Sequence, residues 1–231
     1  MITTNLKIRV FSKQRGYDKE YALNYLARRK NDFNESREHF KTIFSKYNID
    51  LTGKIVLDLA AGVGMDLKIL SEFKPKILIW HDKMPGSYEV AKENLKDLNN
   101  VIFNRNDLMD LEEYKNNSID FIICCDSLYY VGNDFRFFKE IKRILKPNGC
   151  FWGRNATLEF YFKNWAKSDC WIRRIRHQFF DWPLYKFLGL RVFVFLPIDE
   201  NRLNYLFKKL NFNILFLKEK ENYIEFLIKT E

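Results

Sequence analysis

Short apolar runs alternate with amphipathic segments through the middle of the chain. The runs rich in β-branched residues predict strands at 54–59, 76–82, 101–107, 118–126 and 150–155. Between the strands, helical spacing of the apolar positions predicts helices at 65–73, 87–98 and 135–145, and a turn at 146–149. Apolar strands separated by helices of about ten residues are typical of a parallel sheet that is covered on both faces.

The two ends of the chain add further elements to this sheet. Helices are predicted before it at 17–29 and 35–47, and a helix at 200–210 precedes two apolar strands at 212–219 and 222–230. A short polar segment joins these last strands, which indicates an antiparallel hairpin. The predicted fold is therefore α/β and doubly wound, with a mostly parallel seven-stranded sheet that includes a C-terminal antiparallel strand pair.

The length of 231 residues suits a single domain. Within that domain the pattern separates four segments: an N-terminal helical cap at 1–50, a core at 51–155, an insert after the fifth strand at 156–198, and a last helix with the strand pair at 199–231.

Composition excludes several classes of protein. Hydrophobic residues make up 47% of the chain and aromatic residues 17%, which is too much for a disordered protein. No run approaches the roughly 20 apolar residues of a membrane span, and the opening "MITTNLKIRVF" lacks the apolar stretch of a signal peptide. The four cysteines have no metal-ligand spacing, so we expect reduced thiols, no metal site and a cytoplasmic location.

The stretch "VLDLAAGVGMD" carries the first sign of a ligand. A predicted strand reaches Asp58, and Gly62 and Gly64 follow where the chain must turn into a helix. Glycines at such a turn let the backbone approach a ligand closely, beside the N-terminus of the helix. A dinucleotide site would have a third glycine where Leu67 stands, and Asp66 would repel a diphosphate.

Asp82 ends the second predicted strand, about 20 residues after the glycine turn. An acid at this place accepts hydrogen bonds from ribose hydroxyls. With Asp58 near the turn, the implied ligand is a nucleoside that carries a cationic or amino-bearing tail, and S-adenosylmethionine is such a molecule.

These residues resemble a known family. "LDLAAGVG" is similar to the D-x-x-x-G-x-G signature of the class I S-adenosylmethionine-dependent methyltransferases. Four further stretches resemble the family's later motifs in the same order: "IWHDKM", "RNDL", "CCDSLYYV" and "IKRILKPNGCFWG". In the last of them, Asn148 stands where the family has the first of two glycines. The resemblance covers about 51–155 and the closing strand pair.

The resemblance implies S-adenosyl-L-methionine as cofactor and S-adenosyl-L-homocysteine as product, bound by the core. Asp82 would hold the ribose, Lys83 and Met84 would flank the adenine, and Asp107 would meet the adenine amino group. We interpret His81 as a surface or adenine-edge residue. The cofactor residues implied, with two proposed from the position of the first helix, are Asp58, Ala60, Gly62, Gly64, Asp82, Lys83, Met84, Asp107, Leu108, Asp126, Tyr21 and Arg28. Arg29 is the alternative to Arg28.

The net charge of +9 is unevenly distributed. The cap at 1–50 has 11 basic and 6 acidic residues and the insert at 156–198 has 7 and 3, whereas the other two segments are balanced. In this fold both basic segments close over the acceptor side of the cofactor, and a positive rim there would attract an anionic acceptor. The insert is rich in aromatic residues among its basic ones. It is interpreted either as a packed lid or as a binding segment, and a binding segment would be a pocket for an anion such as a sugar nucleotide or phosphorylated acceptor, or a surface that touches lipid or RNA.

Three functions remain open from the sequence. The first is methyl transfer to a small-molecule or glycan acceptor, anionic in character, at oxygen or nitrogen. The second is methylation of RNA, and the third is a non-catalytic protein that binds the nucleoside. The fourth-strand motif reads "DSLYY", which counts against methylation of a base or a glutamine amide. The candidates for a catalytic base are Asp126, Tyr129 and His177, with Tyr130 and His39 also facing the predicted cleft.

Overall fold

The structure, a computed structural model, describes residues 18–157, 160 and 198–231. A seven-stranded sheet forms its centre, in the order β3-β2-β1-β4-β5-β7-β6. The strands are β1 (Ile55–Leu59), β2 (Ile77–His81), β3 (Val101–Asn104), β4 (Ile119–Cys125), β5 (Leu145–Ala156), β6 (Asn213–Glu219) and β7 (Tyr223–Lys229). Strands β1 to β5 pair in parallel, and β7 runs antiparallel between β5 and β6. The predicted seven-stranded fold with its C-terminal hairpin is confirmed.

Helices cover both faces of this sheet. Within the described residues they are α1 (Lys19–Asn31), α2 (Phe33–Tyr47), α3 (Met65–Leu70), α4 (Pro85–Asn94), α5 (Asp134–Ile144) and α6 (Glu200–Lys209), with short 3-10 turns at Ser71–Phe73 and Leu128–Tyr130. Helix α4 begins earlier than predicted because Pro85 occupies its first turn, where a missing N–H costs nothing.

Polar side chains set the start of three helices. The carboxylate of Asp18 accepts a hydrogen bond from the backbone N–H of Tyr21 at the start of α1. Asn133 does the same for α5, and Asp199 for α6. Each cap satisfies one of the backbone donors that a helix leaves without a partner in its first turn.

Two apolar layers hold the helices to the sheet. Phe40 and Phe44 of α2 pack with Trp152 and Phe121 on one face. On the other face α5 and α6 pack against the sheet through a cluster of aromatic rings, and the members at its centre are Phe138, Phe151, Phe207 and Phe226. Helix α1 lies over the start of α3 and against α4 through Ala22 and Leu26.

The turn predicted at 146–149 needs a correction. Helix α5 ends at Ile144 and strand β5 begins at once with Leu145, which pairs with Ile119. The next pair joins Phe121 to Cys150, so the intervening residues 146–149 bulge out of the ladder instead of preceding the strand. Sequence spacing could not reveal that β4 pairs with residues on both sides of the turn.

The order of the strands places a crevice at the sheet's centre. From β1 the chain proceeds outward to β2 and β3, and then returns to place β4 on the other side of β1. At such a reversal the loops after the two central strands diverge, and ligands bind in the opening between them. None of the described helices is long and apolar enough to cross a membrane.

Candidate functional site

The turn after β1 bends through three residues with left-handed backbone. Ala60, Gly62 and Gly64 have φ angles of +57°, +51° and +74°. A β-carbon on Gly64 would lie 2.7 Å from Cδ1 of Leu95, whereas one on Gly62 would meet only the carbonyl of Ala60 at 4.0 Å. Gly64 is therefore required by close packing, and the space beside Gly62 is open to a ligand.

Asp58 is a buried acid just before this turn. Its side chain is 2% exposed, and its Oδ2 atom has no hydrogen-bond partner in the described part of the chain. Burial raises the pKa of Asp58 well above its ordinary value, and the nearby carboxylates of Asp66 and Asp82 raise it further. A buried acceptor with this excess of negative charge around it favours a ligand that brings a cationic donor.

Asp82 follows β2 and holds the turn after β1. One carboxylate oxygen accepts the N–H of Gly62 and the other accepts the N–H of Met84, both at 2.8 Å. Burial raises the pKa of Asp82, although these two hydrogen bonds act in the opposite direction. Each oxygen retains a second lone pair, so the carboxylate can still accept hydrogen bonds from ribose hydroxyls.

Lys83 and Asp107 form a salt bridge beside Asp82, with 2.7 Å between Nζ and Oδ2. The other oxygen of Asp107 accepts the backbone N–H of Met109 at 2.9 Å. Burial raises the pKa of Asp107, but the hydrogen bonds from Lys83 and Met109 and the nearby positive charge together outweigh it, and the pKa is lowered. Leu108 is buried behind this pair. Such an arrangement presents an acceptor and an apolar edge, which suit an adenine ring.

The interpretation of His81 as a surface or adenine-edge residue is wrong. Its side chain is fully buried, with Nδ1 at 2.8 Å from the hydroxyl of Tyr114 and Nε2 at 2.9 Å from the carbonyl of Asp107. Burial lowers the pKa of His81, which keeps the ring neutral and able to satisfy both groups. The ring therefore fixes the loop that carries Asp107.

Asp126 follows β4 with a left-handed φ of +52°. A nitrogen of the Arg154 guanidinium lies 3.1 Å from its carboxylate and 3.1 Å from Sγ of Cys125. Burial raises the pKa of Cys125 well above its ordinary value, so the thiol is neutral. The contact between Arg154 and Asp126 ties the ends of β4 and β5 together.

Helix α1 places one arginine in the site. The guanidinium of Arg29 lies 2.7 Å from the carboxylate of Asp66, in the first turn of α3, and both side chains are largely buried. Arg28 points to the exposed side of the helix, over the ring of Tyr25. Tyr21 is 39% exposed and its ring stacks on Tyr25 at 6.5 Å. Of the two arginines considered, Arg29 is the one that reaches the glycine turn.

A cavity of about 450 Å³ opens beside these residues. Helices α1 and α2 form one wall, and the ends of β4, β5 and β7 form the floor. Its charged and polar lining includes Arg29, Asp32, Glu35, His39, Asp66, Arg154, Lys220 and Tyr223. Of the candidate bases, His39 lines this cavity, whereas Asp126, Tyr129 and Tyr130 do not. His177 lies outside the described residues.

Two residues of the cavity floor, Cys125 and Arg154, lie in one row across neighbouring strands with the buried Glu225. Cys125 of β4 pairs with Arg154 of β5, and Arg154 pairs with Glu225 of β7. Partners in register have side chains on the same face of a sheet, here the face that α2 covers. The sequence reasoning missed Arg154 and Glu225 as site residues. Their signal was a charged residue inside an apolar strand, which is costly unless it is paired or functional.

The residues around the turn fit S-adenosylmethionine. The molecule would place its ammonium group near the partnerless oxygen of Asp58 and its ribose at Asp82, and the open space at Gly62 lets it approach the backbone. In the described residues no group of three or more His, Cys, Asp or Glu is arranged to hold a metal ion.

Comparison with known proteins agrees with this geometry. A family model described as a methyltransferase domain matches residues 57–153. No curated protein matches the sequence significantly.

Solved structures extend the similarity to the whole fold. A Methanococcus maripaludis protein named as an S-adenosyl-L-methionine-dependent methyltransferase is 18% identical, covers 95% of this chain and 97% of its own, and has a TM-score of 0.66. A SAM-dependent methyltransferase from Aquifex aeolicus is 15% identical over 83% of this chain and 89% of its own, with a TM-score of 0.59. A chain from the complex of the Haloferax volcanii Trm112 methyltransferase activator with a methyltransferase is 15% identical, covers 92% and 96%, and has a TM-score of 0.64.

Proposed function

We propose that this chain, a class I S-adenosylmethionine-dependent methyltransferase by its fold and by the domain at residues 57–153, methylates a small-molecule or glycan acceptor that carries negative charge. The observation that carries the proposal is the cavity of about 450 Å³, which begins at Asp66 directly after the glycine turn. Its volume lies within the range of pockets that bind small molecules.

S-adenosylmethionine, when bound, supplies a methyl group on a positively charged sulfur, which is already activated for transfer. The task that remains for the protein is to position the acceptor in line and to exclude water. Asp58 would bind the ammonium group of the cofactor's tail, and Asp82 would bind its ribose hydroxyls. The open space beside Gly62 lets the cofactor approach the backbone closely. Leu26 of α1 belongs to the same buried cluster as Val63 of the turn, so this helix packs against the turn.

The charge of the cavity supports an anionic acceptor at its floor. Lys220 donates a hydrogen bond to the neutral hydroxyl of Tyr223 at 2.7 Å, so its ammonium charge is not cancelled by that partner. Arg154 shares its charge with Asp126, whose side chain is 45% exposed. Two acids, Asp32 and Glu35, lie on the opposite wall. An acceptor with its carboxylate or phosphate at the floor is favoured by this separation.

The proposal is tested by offering the purified protein methyl-labelled S-adenosylmethionine with three defined acceptor sets. These are a panel of hydroxy- and amino-carboxylates and sugar phosphates, total RNA, and vesicles of anionic phospholipid. We expect label in the first set. Label in RNA or lipid alone, or in none of the three, would refute the proposed acceptor class.

Two variants sharpen this test. Lys220→Gln should raise the KM for the anionic acceptor about tenfold, because a hydrogen bond to a charged group contributes about 1.5 kcal/mol. Lys218→Gln is the matched control, since Lys218 is an exposed lysine two residues earlier and does not line the cavity. Equal KM values in the two variants would mean that Lys220 does not contribute to acceptor binding.

RNA is the second candidate acceptor, favoured by the basic excess of the segments 1–50 and 156–198. Binding to RNA through phosphate contacts would weaken steeply as salt increases, because counterions are released. A gel-shift titration at two salt concentrations decides: a steep loss of affinity supports RNA, and no binding or a flat response excludes it.

A further inference from the structure

A histidine and a buried glutamate form a hydrogen-bonded pair at the cavity. Nε2 of His39, on α2, lies 2.5 Å from Oε1 of Glu225, on β7. The indole N–H of Trp152 donates to the same oxygen at 2.8 Å. Glu225 is 4% exposed, whereas the side chain of His39 is 35% exposed and lines the cavity. The carboxylate is therefore enclosed and the imidazole is accessible.

The partners of Glu225 determine which nitrogen of His39 carries hydrogen. Burial raises the pKa of Glu225, but the hydrogen bonds from His39 and Trp152 and the charges nearby outweigh it, so the pKa is lowered. An ionised carboxylate only accepts hydrogen bonds, and neutral imidazole carries one N–H. In the neutral form of the ring, which is the form that can act as a base, the single hydrogen thus lies on Nε2, towards Glu225. No residue of the described part of the chain hydrogen-bonds to Nδ1, which is left as an acceptor.

Aromatic contacts hold the ring in place. The indole of Trp152 meets the His39 ring edge-on, with 6.3 Å between centroids and 68° between planes, and Phe40 packs at 6.3 Å. Trp152 and Phe40 belong to the core between α2 and the sheet. The imidazole is therefore held in place by a rigid part of the fold. A side chain that must contact a reacting atom of the substrate needs such support.

We propose that His39 is the general base of the reaction and that the acceptor atom is a hydroxyl oxygen. Glu225 and Trp152 act as positioning residues for the ring. This inference rests on the proposed function and goes further, since it chooses oxygen over nitrogen and assigns the proton. A carboxylate that orients an imidazole towards a hydroxyl is a recurrent arrangement for proton removal.

The proposed step balances in atoms and charge. The hydroxyl oxygen forms a bond to the methyl carbon, and the carbon–sulfur bond breaks with its electron pair left on sulfur. The proton of the hydroxyl moves to Nδ1 of His39. The positive charge that leaves sulfur thus ends on the imidazolium, next to the ionised Glu225. A buried carboxylate stabilises that charge more strongly than water would.

Other charged groups face the same space from each element around it. Glu35 lies one turn before His39 on α2, and Asp32 precedes that helix. Arg154 lies on β5, and Lys220 and Tyr223 lie at the hairpin. Arg29 of α1 is already paired with Asp66. None of them contacts His39 directly, so Glu225 is the charge that governs this ring.

The nature of the pair argues for a hydroxyl acceptor. A neutral amine or a carboxylate attacks a methyl group without losing a proton first, so neither gains from a fixed base. A hydroxyl is a weak nucleophile until its proton is removed, and a positioned base typically contributes 10²–10⁴-fold in rate. An alternative is that His39 and Glu225 only link α2 to β7, and the experiment must separate the two roles.

The first measurement needs no acceptor. The chain has only three histidines, so nitrogen-15 spectra of the ring atoms can be assigned by difference with the His39→Gln variant. We expect the spectrum of the His39 ring to show hydrogen on Nε2 and none on Nδ1. Hydrogen on Nδ1 instead would overturn the proposal, because that nitrogen could then not accept the proton of the hydroxyl.

The second measurement is the rate of methyl transfer to the hydroxyl-bearing members of the acceptor panel between pH 5 and pH 9. In the parent protein the rate should fall on the acid side, because a base that already carries a proton cannot accept one from the hydroxyl. His39→Gln should lower kcat at least about 100-fold and remove the acid limb. Glu225→Gln should lower kcat with a smaller change in KM, and Lys41→Gln, an exposed position on the same helix, should match the parent.

The outcomes separate the two proposals. If small acceptors are methylated but His39→Gln retains the parent kcat and pH profile, His39 is not the base, although the proposed function stands. Methylation of amine acceptors alone would have the same meaning. If no small acceptor is methylated by the parent protein, the proposed function fails and the assignment of His39 fails with it.

Discussion

The carboxylate of Asp82 accepts a hydrogen bond from the backbone N–H of Gly62 at 2.8 Å. This bond joins the end of the second strand to the turn that follows the first, across the opening at the sheet's switch point. The acid expected to bind the ribose therefore also shapes the glycine turn. Replacing Asp82 should therefore weaken ligand binding in two ways, because a hydrogen bond to the ligand is lost and the glycine turn is held less firmly.

Asp82→Asn should weaken the binding of S-adenosylhomocysteine by about 10- to 100-fold. One amide group cannot accept all the hydrogen bonds of a carboxylate, and a lost buried hydrogen bond costs about 1–3 kcal/mol. Calorimetric titration measures the change. Asp97→Asn is the control, because Asp97 is exposed and lies on the surface after α4. An unchanged affinity in a folded Asp82 variant would mean that the second strand does not contribute to the site.

Gly64→Ala should destabilise the protein more than Gly53→Ala. Both residues have left-handed φ angles, +74° and +71°, so both variants have a similar backbone strain of about 1–2 kcal/mol. A β-carbon at Gly53 meets nothing within 4 Å, whereas at Gly64 it would lie 2.7 Å from a methyl group of Leu95. Overpacking adds about 1–3 kcal/mol at Gly64 only. Urea unfolding of the two variants compares them directly, and equal losses would show that Leu95 moves aside freely.

Asp58→Asn should stabilise the ligand-free protein at pH 8 but not at pH 4. Burial raises the folded-state pKa of Asp58, so its contribution to stability is complete below the unfolded pKa and is lost as pH rises through the folded pKa. The amide of asparagine is neutral at both pH values, so the variant does not lose stability as pH rises. Stabilising substitutions of this kind commonly raise the free energy of unfolding by about 0.5–2 kcal/mol.

The measurement for Asp58 is urea unfolding at both pH values, together with titration by S-adenosylhomocysteine. We expect weaker ligand binding alongside the higher stability. A variant that is less stable at pH 8, or that binds the ligand as well as the parent, would contradict the assignment of Asp58 to the ligand's cationic end.

Arg29→Gln should lower the free energy of unfolding by about 1–3 kcal/mol, because it leaves the largely buried Asp66 without its partner. Arg28→Gln is a matched control one residue away, on the exposed side of α1, and should change stability by less than about 0.5 kcal/mol. Chemical denaturation distinguishes them. If Arg28→Gln lost more stability than Arg29→Gln, Arg28 would be the arginine at the site, as the sequence analysis preferred.

Much of the fold could be predicted from the sequence because each strand of the centre is a short apolar run and helices α2, α5 and α6 each have a clear apolar stripe. The glycine turn was visible for a similar reason, since few residues adopt the backbone of Gly62 and Gly64. These features are local. They depend on the periodicity and on the conformational freedom of a few consecutive residues.

The cavity could not be predicted in the same way. His39 and Glu225 are 186 positions apart, and their contact depends on how α2 lies across β7. The row that joins Arg154 to Glu225 depends on strand register, which the bulge at 146–149 determines together with the hairpin. The burial of His81 depends on the hydroxyl of Tyr114 in a distant loop. No local pattern encodes such contacts.

The most direct test of the central claim is calorimetric titration of the purified protein with S-adenosylmethionine, S-adenosylhomocysteine and NAD. The site formed by Asp58, Gly62 and Asp82 predicts micromolar binding of the two adenosyl ligands that carry an amino acid tail. It predicts no binding of NAD, because Leu67 stands where a dinucleotide site has its third glycine. Binding of NAD, or of none of the three, would contradict the assignment of the glycine turn to a methyl donor.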